Sequence, residues 1–210
     1  MPKIKMPTSS PSLDMTPMVD LAFLLVTFFM LTAQFRPEEV VAVDTPSSMS
    51  QLPIPTENLM TITVDSAGRV FWDFTDKKVR AEVIKELANR YKFTVDEEQV
   101  ARFTNLNILG LPMQQLPTYL SLDTPAERKE MDRASTGIPI DSTNNQLLDW
   151  IRVTQLIFSS ESEGKNPLVA LKGDGNTNYT VINKVIKIFQ SPTVKINRFR
   201  MITDLEESRI

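Results

Sequence analysis

The chain has no cysteine and no histidine among its 210 residues. The first absence excludes a disulfide framework and a thiolate site. The second removes the commonest general base, the usual zinc ligand and the Ser-His and Cys-His dyads together. Proton chemistry is left to carboxylates, Lys or Tyr. Glycine is scarce, six residues against fourteen prolines, and neither GxGxxG nor GxxxxGKS/T occurs, so no phosphate cradle is written here. Charge of one sign is also missing. The balance of 23 basic and 26 acidic residues gives a net −3, mixed along the chain with no basic stripe, which argues against a nucleic-acid partner. No nucleophile–base pair stands out. The chain is not expected to be an enzyme, and no cofactor or metal is expected.

What the sequence does have is one long apolar run. Between Asp14 and Arg36 lie 21 residues, of which only Asp20 is charged. As a helix they would cover about 32 Å, close to the ~30 Å hydrocarbon core of a bilayer. The uninterrupted part, 21–33, has the length of a signal-peptide core, with Lys3 and Lys5 ahead of it and Leu31-Thr32-Ala33 as the cleavage site. Against a cleaved signal, the leader ends in an acid directly before the apolar stretch, and Leu31 is large where a small residue is preferred. A buried soluble helix is the third reading; a retained membrane helix fits best. Lys3 and Lys5 before it, and Glu38 and Glu39 beyond Arg36, place the short N-terminal tail in the cytoplasm and the rest outside. Thr16 is the expected N-cap, with Pro17 at the first helical position.

Asp20 poses the functional question. It could sit hydrated at the interface, favoured by the positive end of its helix. It could instead be a proton site facing a protein-lined, partly wet cavity. Thr27 and Gln34 follow at steps of seven, so the three polar residues share one face with a drift of ~20° per heptad. Both are candidate pore-facing helpers, although Thr27 could simply bond its own backbone. A polar stripe suits a helix that has protein neighbours as well as lipid.

After Arg36, prolines at 37, 46, 53 and 55 mark an extended linker to residue 56. It could be a passive tether or a docking segment. "LMTITVDSAGRVFWDF" reads as a hairpin turning at Asp65–Gly68. "KKVRAEVIKELANRYKFTVDEEQVARFTNLNILGLP" reads as two helices. The following 33 residues read as a loop with a short helix near Pro125–Met131. "NNQLLDWIRVTQLIF" has a helical apolar face, "PLVALKG" is a buried strand, "YTVINKVIKIF" an amphipathic helix and "RFRMIT" a closing strand. The turn 172–176 lacks the acids of a calcium loop. Trp72 and Trp150 read as packing residues. The expected fold class is α+β, with helices packed on one face of a sheet.

Asp14, Thr16-Pro17, Asp20 two residues after Met18, and "FLLVTFFM" together resemble the ExbD/TolR family of energy-transducing inner-membrane proteins. The closing strand-helix-strand, with its Lys-Gly-Asp turn and a Tyr opening the helix, is similar too. The resemblance covers Leu13–Phe35, about Leu59–Phe74 and about Asn145–Asp204. It implies residues 1–12 as a cytoplasmic tail, 13–35 as the membrane helix, 36–56 as a periplasmic linker and 57–210 as a periplasmic domain. A helical insertion at about 75–144 departs from the compact family core, and we read it as a partner surface or an enlargement of the domain. The implied role is a subunit of a proton-driven motor. Paired helices, as a homodimer, would sit within a ring of ExbB-like subunits in the bilayer, Asp20 would carry the proton, and a TonB-like periplasm-spanning protein would receive force for outer-membrane transport. A TolR-like subunit acting on envelope constriction is the second reading. A membrane-anchored periplasmic binding module is the third.

Overall fold

Two runs of alternating apolar residues, Met60-Ile62-Val64 and Val70-Trp72-Phe74, pair as an antiparallel hairpin whose register aligns Ile62 with Trp72. The computed structural model describes residues 15–32, 43–45, 47–48, 57–162, 164–202 and 204–205. Its first elements are α1 (Thr16–Thr32), β1 (Ser47–Ser48), β2 (Leu59–Val64) and β3 (Val70–Phe74). Helices α2 (Lys77–Tyr91), α3 (Glu97–Asn105), α4 (Leu116–Ser121), α5 (Pro125–Ala134) and α6 (Gln146–Glu161) follow. The chain then runs through β4 (Leu168–Gly173), α7 (Tyr179–Phe189), β5 (Arg200–Ile202) and β6 (Asp204–Leu205). Two units separate, Met1–Glu38 and Glu39–Ile210.

The larger unit is α+β. Its sheet has the order β3-β2-β4-β5, with β4 parallel to both β2 and β5. The hairpin turn closes through Asp65, whose carboxylate accepts from the backbone N–H of Arg69 at 2.8 Å and from its Nε at 2.6 Å. Gly68 takes φ +80°, which a side chain would strain. Residues of one sheet face, Met60, Ile62, Val64, Val70, Trp72, Phe74, Val169 and Leu171, join apolar residues of α2, α6 and α7 in a single core. Trp72 and Trp150 meet in it with ring centroids 4.7 Å apart. They are the only two tryptophans. The folded chain is therefore expected to show a coupled near-ultraviolet circular dichroism signal that either Trp72→Phe or Trp150→Phe removes. Two independent, additive signals would contradict this packing.

The stretch expected as a loop with one helix holds two. α4 forms from "LPTYLS" with Pro117 in its first turn, where the missing N–H costs nothing. α5 starts at Pro125 as expected and continues to Ala134. The insertion is built into the fold. Leu109, Leu111, Met113, Leu116, Tyr119, Leu120 and Ile138 are all core residues. Leu109 exchanges two backbone bonds with Trp72, at 2.7 and 2.9 Å, and Ile138 donates to Val70 O at 2.8 Å. These segments seal the β3 edge, which would otherwise present unpaired backbone groups. Gly110 makes that approach possible: a Cβ there would lie 2.0 Å from Phe71 Cδ1. Gly110→Ala is expected to lower unfolding stability by about 1–3 kcal/mol, read by urea titration. A loss below ~0.5 kcal/mol, the scale of neutral surface changes, would show that Phe71 has room to move.

Part of the expected linker is docked on this unit. Thr45 is buried, Asp44 O accepts from Gly175 N at 2.8 Å, and Asp44 N donates to Asp174 Oδ2 at 3.2 Å. β1 pairs in parallel with β6.

Candidate functional site

α1 has 17 residues, and Asp20 is its only ionisable one. Its larger apolar side chains, from Met18 to Leu31, are 50–88% exposed, and none of its residues is buried. A helix apolar on all sides needs lipid or protein around it. At 1.5 Å per residue it covers about 25 Å. No helix among the described residues is long and apolar enough to cross a membrane.

The helix start differs from the expectation by one residue. Met15 O accepts the first intrahelical bond, from Val19 N at 3.1 Å, so the cap position falls on Met15. Thr16 is the first helical residue and Pro17 the second. The change is tolerated because the second N–H of a helix has no intrahelical acceptor either. Asp20 lies one turn further on, exposed. Thr27 follows seven residues later, and its hydroxyl donates back to Phe23 O at 2.9 Å and Leu24 O at 3.0 Å. Its proton is engaged by its own helix, which leaves its oxygen only as an acceptor. Gln34 lies outside the described residues.

The larger unit holds ionisable groups that the sequence did not single out. Arg80 is 4% exposed. Its Nη1 donates to Asp73 Oδ1 at 2.9 Å and its Nη2 to Phe103 O at 3.1 Å, and its guanidinium lies over the rings of Trp72 and Phe103. Burial pushes the Asp73 carboxyl above its ordinary value, and the nearby Arg80 charge only partly offsets this. Asp132 is likewise raised by burial and accepts from Tyr119 Oη at 3.0 Å. Burial first, and then the Asp132 charge, holds the Tyr119 phenol well above its usual range. Both pairs join elements of the fold rather than line a reaction centre. The spacing Arg80-Ile84-Leu87 would have placed Arg80 on the buried stripe of α2. Asp174, in the turn read as non-metal, accepts from the backbone of Asn176 and Asp44. Among the described residues no group of three or more carboxylates is placed to hold a metal ion.

No ionisable partner for Asp20 exists within α1, so its chemistry depends on what surrounds the helix. The model of one protein family, described as biopolymer transport protein ExbD/TolR, matches residues 7–203. No curated protein and no solved structure matches. The family comprises inner-membrane proteins of energy-transducing transport that work with ExbB- or TolQ-type membrane partners. The match takes in the apolar helix, the hairpin, the insertion and the closing strand-helix-strand, and the chain belongs to the ExbD/TolR family.

Proposed function

We propose that this chain is the single-carboxylate subunit of an inner-membrane motor driven by the proton-motive force. Asp20 carries the proton, and the output is force on a TonB-type protein for outer-membrane transport. The observation that carries this reading is the lone ionisable residue in a helix otherwise apolar on every side. Neutral, an Asp tolerates an apolar wall; charged, it seeks a polar or wet one. Two copies of α1 inside an ExbB-like ring would present their carboxylates to ring surfaces of both kinds in turn. In this arrangement residues 1–12 are cytoplasmic, 13–35 span the bilayer, 36–56 form the linker and 57–210 fold in the periplasm.

The test is proton flux into liposomes that hold the chain with its co-purified membrane partner, comparing wild type with Asp20→Asn after confirming that both assemble. Flux lost in an intact Asn complex supports the reading. Flux unchanged by the substitution would remove Asp20 from the path and leave an anchored binding module as the better account. The identity of the periplasmic protein that co-purifies separates a TonB-type output from a TolR-type one.

A further inference from the structure

A helix normally joins its domain through an apolar stripe, and α5 has almost none. In "PAERKEMDRA" the only large apolar residue is Met131, which is half-buried against the core. The one buried side chain of the helix is a carboxylate, Asp132, 9% exposed. No helix or strand lies closely along α5, whereas α2 packs closely on both α3 and α6.

Polar contacts tie down the C-terminal end of α5. Tyr119 Oη of α4 donates to Asp132 Oδ2 at 3.0 Å. From the hairpin turn, Arg69 Nη1 reaches Asp132 O at 3.4 Å, Arg133 O at 3.4 Å and Ser135 O at 3.5 Å. Each is longer than the roughly 2.7–3.2 Å of a good N–H···O bond. Two cations act on the Asp132 carboxylate. Arg69 is itself held by Asp65 at 2.6 Å. Arg128, one turn back on α5, donates to Leu122 O at 2.8 Å. A cavity of about 210 Å³ is lined by Tyr119 and Leu120 of α4, Arg128 of α5 and Arg102 of α3. Arg102 already holds Glu98 and Asp123. Just beyond the helix the chain is pinned: Ser135 Oγ donates to Gly110 O at 2.6 Å, and Ile138 N to Val70 O at 2.8 Å.

We propose that α5 is a proton-controlled flap, closing firmly on α4 when Asp132 is protonated and loosening about its pinned exit when Asp132 is ionised. A neutral carboxyl is at ease in the buried contact with Tyr119, while an ionised one gains hydration when α5 lifts. Burial is the largest influence and holds this carboxyl above its ordinary 3.8; the Tyr119 bond, Arg128 and Arg69 offset it in part. The docked helix therefore favours the protonated form. The grip from this group is present at acid pH and is lost as pH rises through the docked-state value. Lifting α5 takes Arg128 away from Tyr119 and Leu120 and opens their cavity from that side. The inference is independent of the proton-carrying role of Asp20.

The experiment is amide hydrogen exchange of the full chain in detergent, between about pH 4 and about pH 7, read by mass spectrometry on fragments covering α2, α5 and α6. Exchange reports local opening of each helix separately. After correction for the chemical exchange rate at each pH, protection of α5 is expected to fall at least about threefold from the acid to the neutral end. Protection of α2 and α6 should not follow it. Asp132→Asn cannot ionise and should hold α5 at the acid level throughout. Tyr119→Phe removes a donor that favours the ionised carboxylate and should move the transition to higher pH, whereas a purely structural contact would leave its midpoint in place. The tryptophan circular dichroism signal checks that each variant is folded. Flat protection of α5 in the wild type would overturn the proposal. So would the same fall in Asp132→Asn, an unmoved midpoint in Tyr119→Phe, or opening of α5 only in step with α2 and α6.

Discussion

Proton flux through an assembled complex is expected to fall about a hundredfold or more when Asp20 is replaced by Asn, the scale on which a positioned proton-transfer group acts. The amide keeps the size and the hydrogen-bonding capacity of the carboxyl but never takes up or releases a proton at accessible pH. Assembly should therefore survive while conduction does not. Magnitudes make the carboxylate a sensible working part. An ionised Asp costs roughly 2.5–3.5 kcal/mol at the centre of a spanning helix on insertion scales and less toward the helix start, where Asp20 sits, and a proton crossing 100 mV yields about 2.3 kcal/mol. The two quantities are comparable, so a physiological field can move the group between environments without trapping it in either. Asp20→Glu keeps the proton site but extends it by one methylene, and partial flux is expected there. A Glu variant as inactive as Asn would mean that placement, and not ionisation alone, decides turnover.

Arg80→Leu is expected to cost about 3–5 kcal/mol of unfolding stability near neutral pH, the range for breaking a buried ion pair from one side. The leucine fills part of the space over Trp72 and Phe103 but leaves the Asp73 carboxylate without its cation and Phe103 O with only the Leu106 N–H as donor. The loss should depend on pH, and the sign can be worked out. Burial holds Asp73 above its ordinary 3.8 in the folded protein, so the fold favours its protonated form. The stability from this group is present at acid pH and is lost as pH rises through the folded-state value. Leucine removes the one charge that lowers that value, which moves it further up. The penalty relative to wild type should therefore be largest at neutral pH and shrink toward about pH 4, where the carboxyl is protonated in the variant. Urea titrations of the full chain at both pH values, followed through the tryptophan signal, measure it. An equal penalty at both would place the loss in packing over the aromatic rings rather than in the orphaned carboxylate.

The hairpin, α2, α3, α6 and the β4–α7–β5 unit were legible because each carries its own period or turn chemistry. Asp65 through Gly68 specify the hairpin turn locally, and α7 alternates buried Val185, Ile188 and Phe189 with exposed lysines at helical spacing. α4 was not legible because six residues with an internal proline are too few to show a period. The sealing of the β3 edge by Leu109 and Ile138 joins residues 37 and 68 positions apart from Trp72 and Val70, a non-local pairing that no window along the chain contains. Asp20 was legible as an anomaly, a charge in an apolar run. Thr27 shared its face by spacing, and only coordinates could show its hydroxyl turned onto its own backbone.

The docked stretch at Asp44 has a mechanical consequence. Tension that arrives along the chain at residue 43 reaches the turn at Asp174 and Gly175, directly after β4. β4 is an inner strand, bonded in parallel to β2 over six residues and to β5 over three. Load running lengthwise along such a strand meets the evenly spaced ladder bonds together, in shear, instead of opening them one after another. Among the described residues, two hydrogen bonds hold Asp44 to that turn, and they yield under far less load. These contacts are thus the first to yield to a pull from residue 43, and the load then passes down the chain toward β2, which β3 and β4 hold from either side.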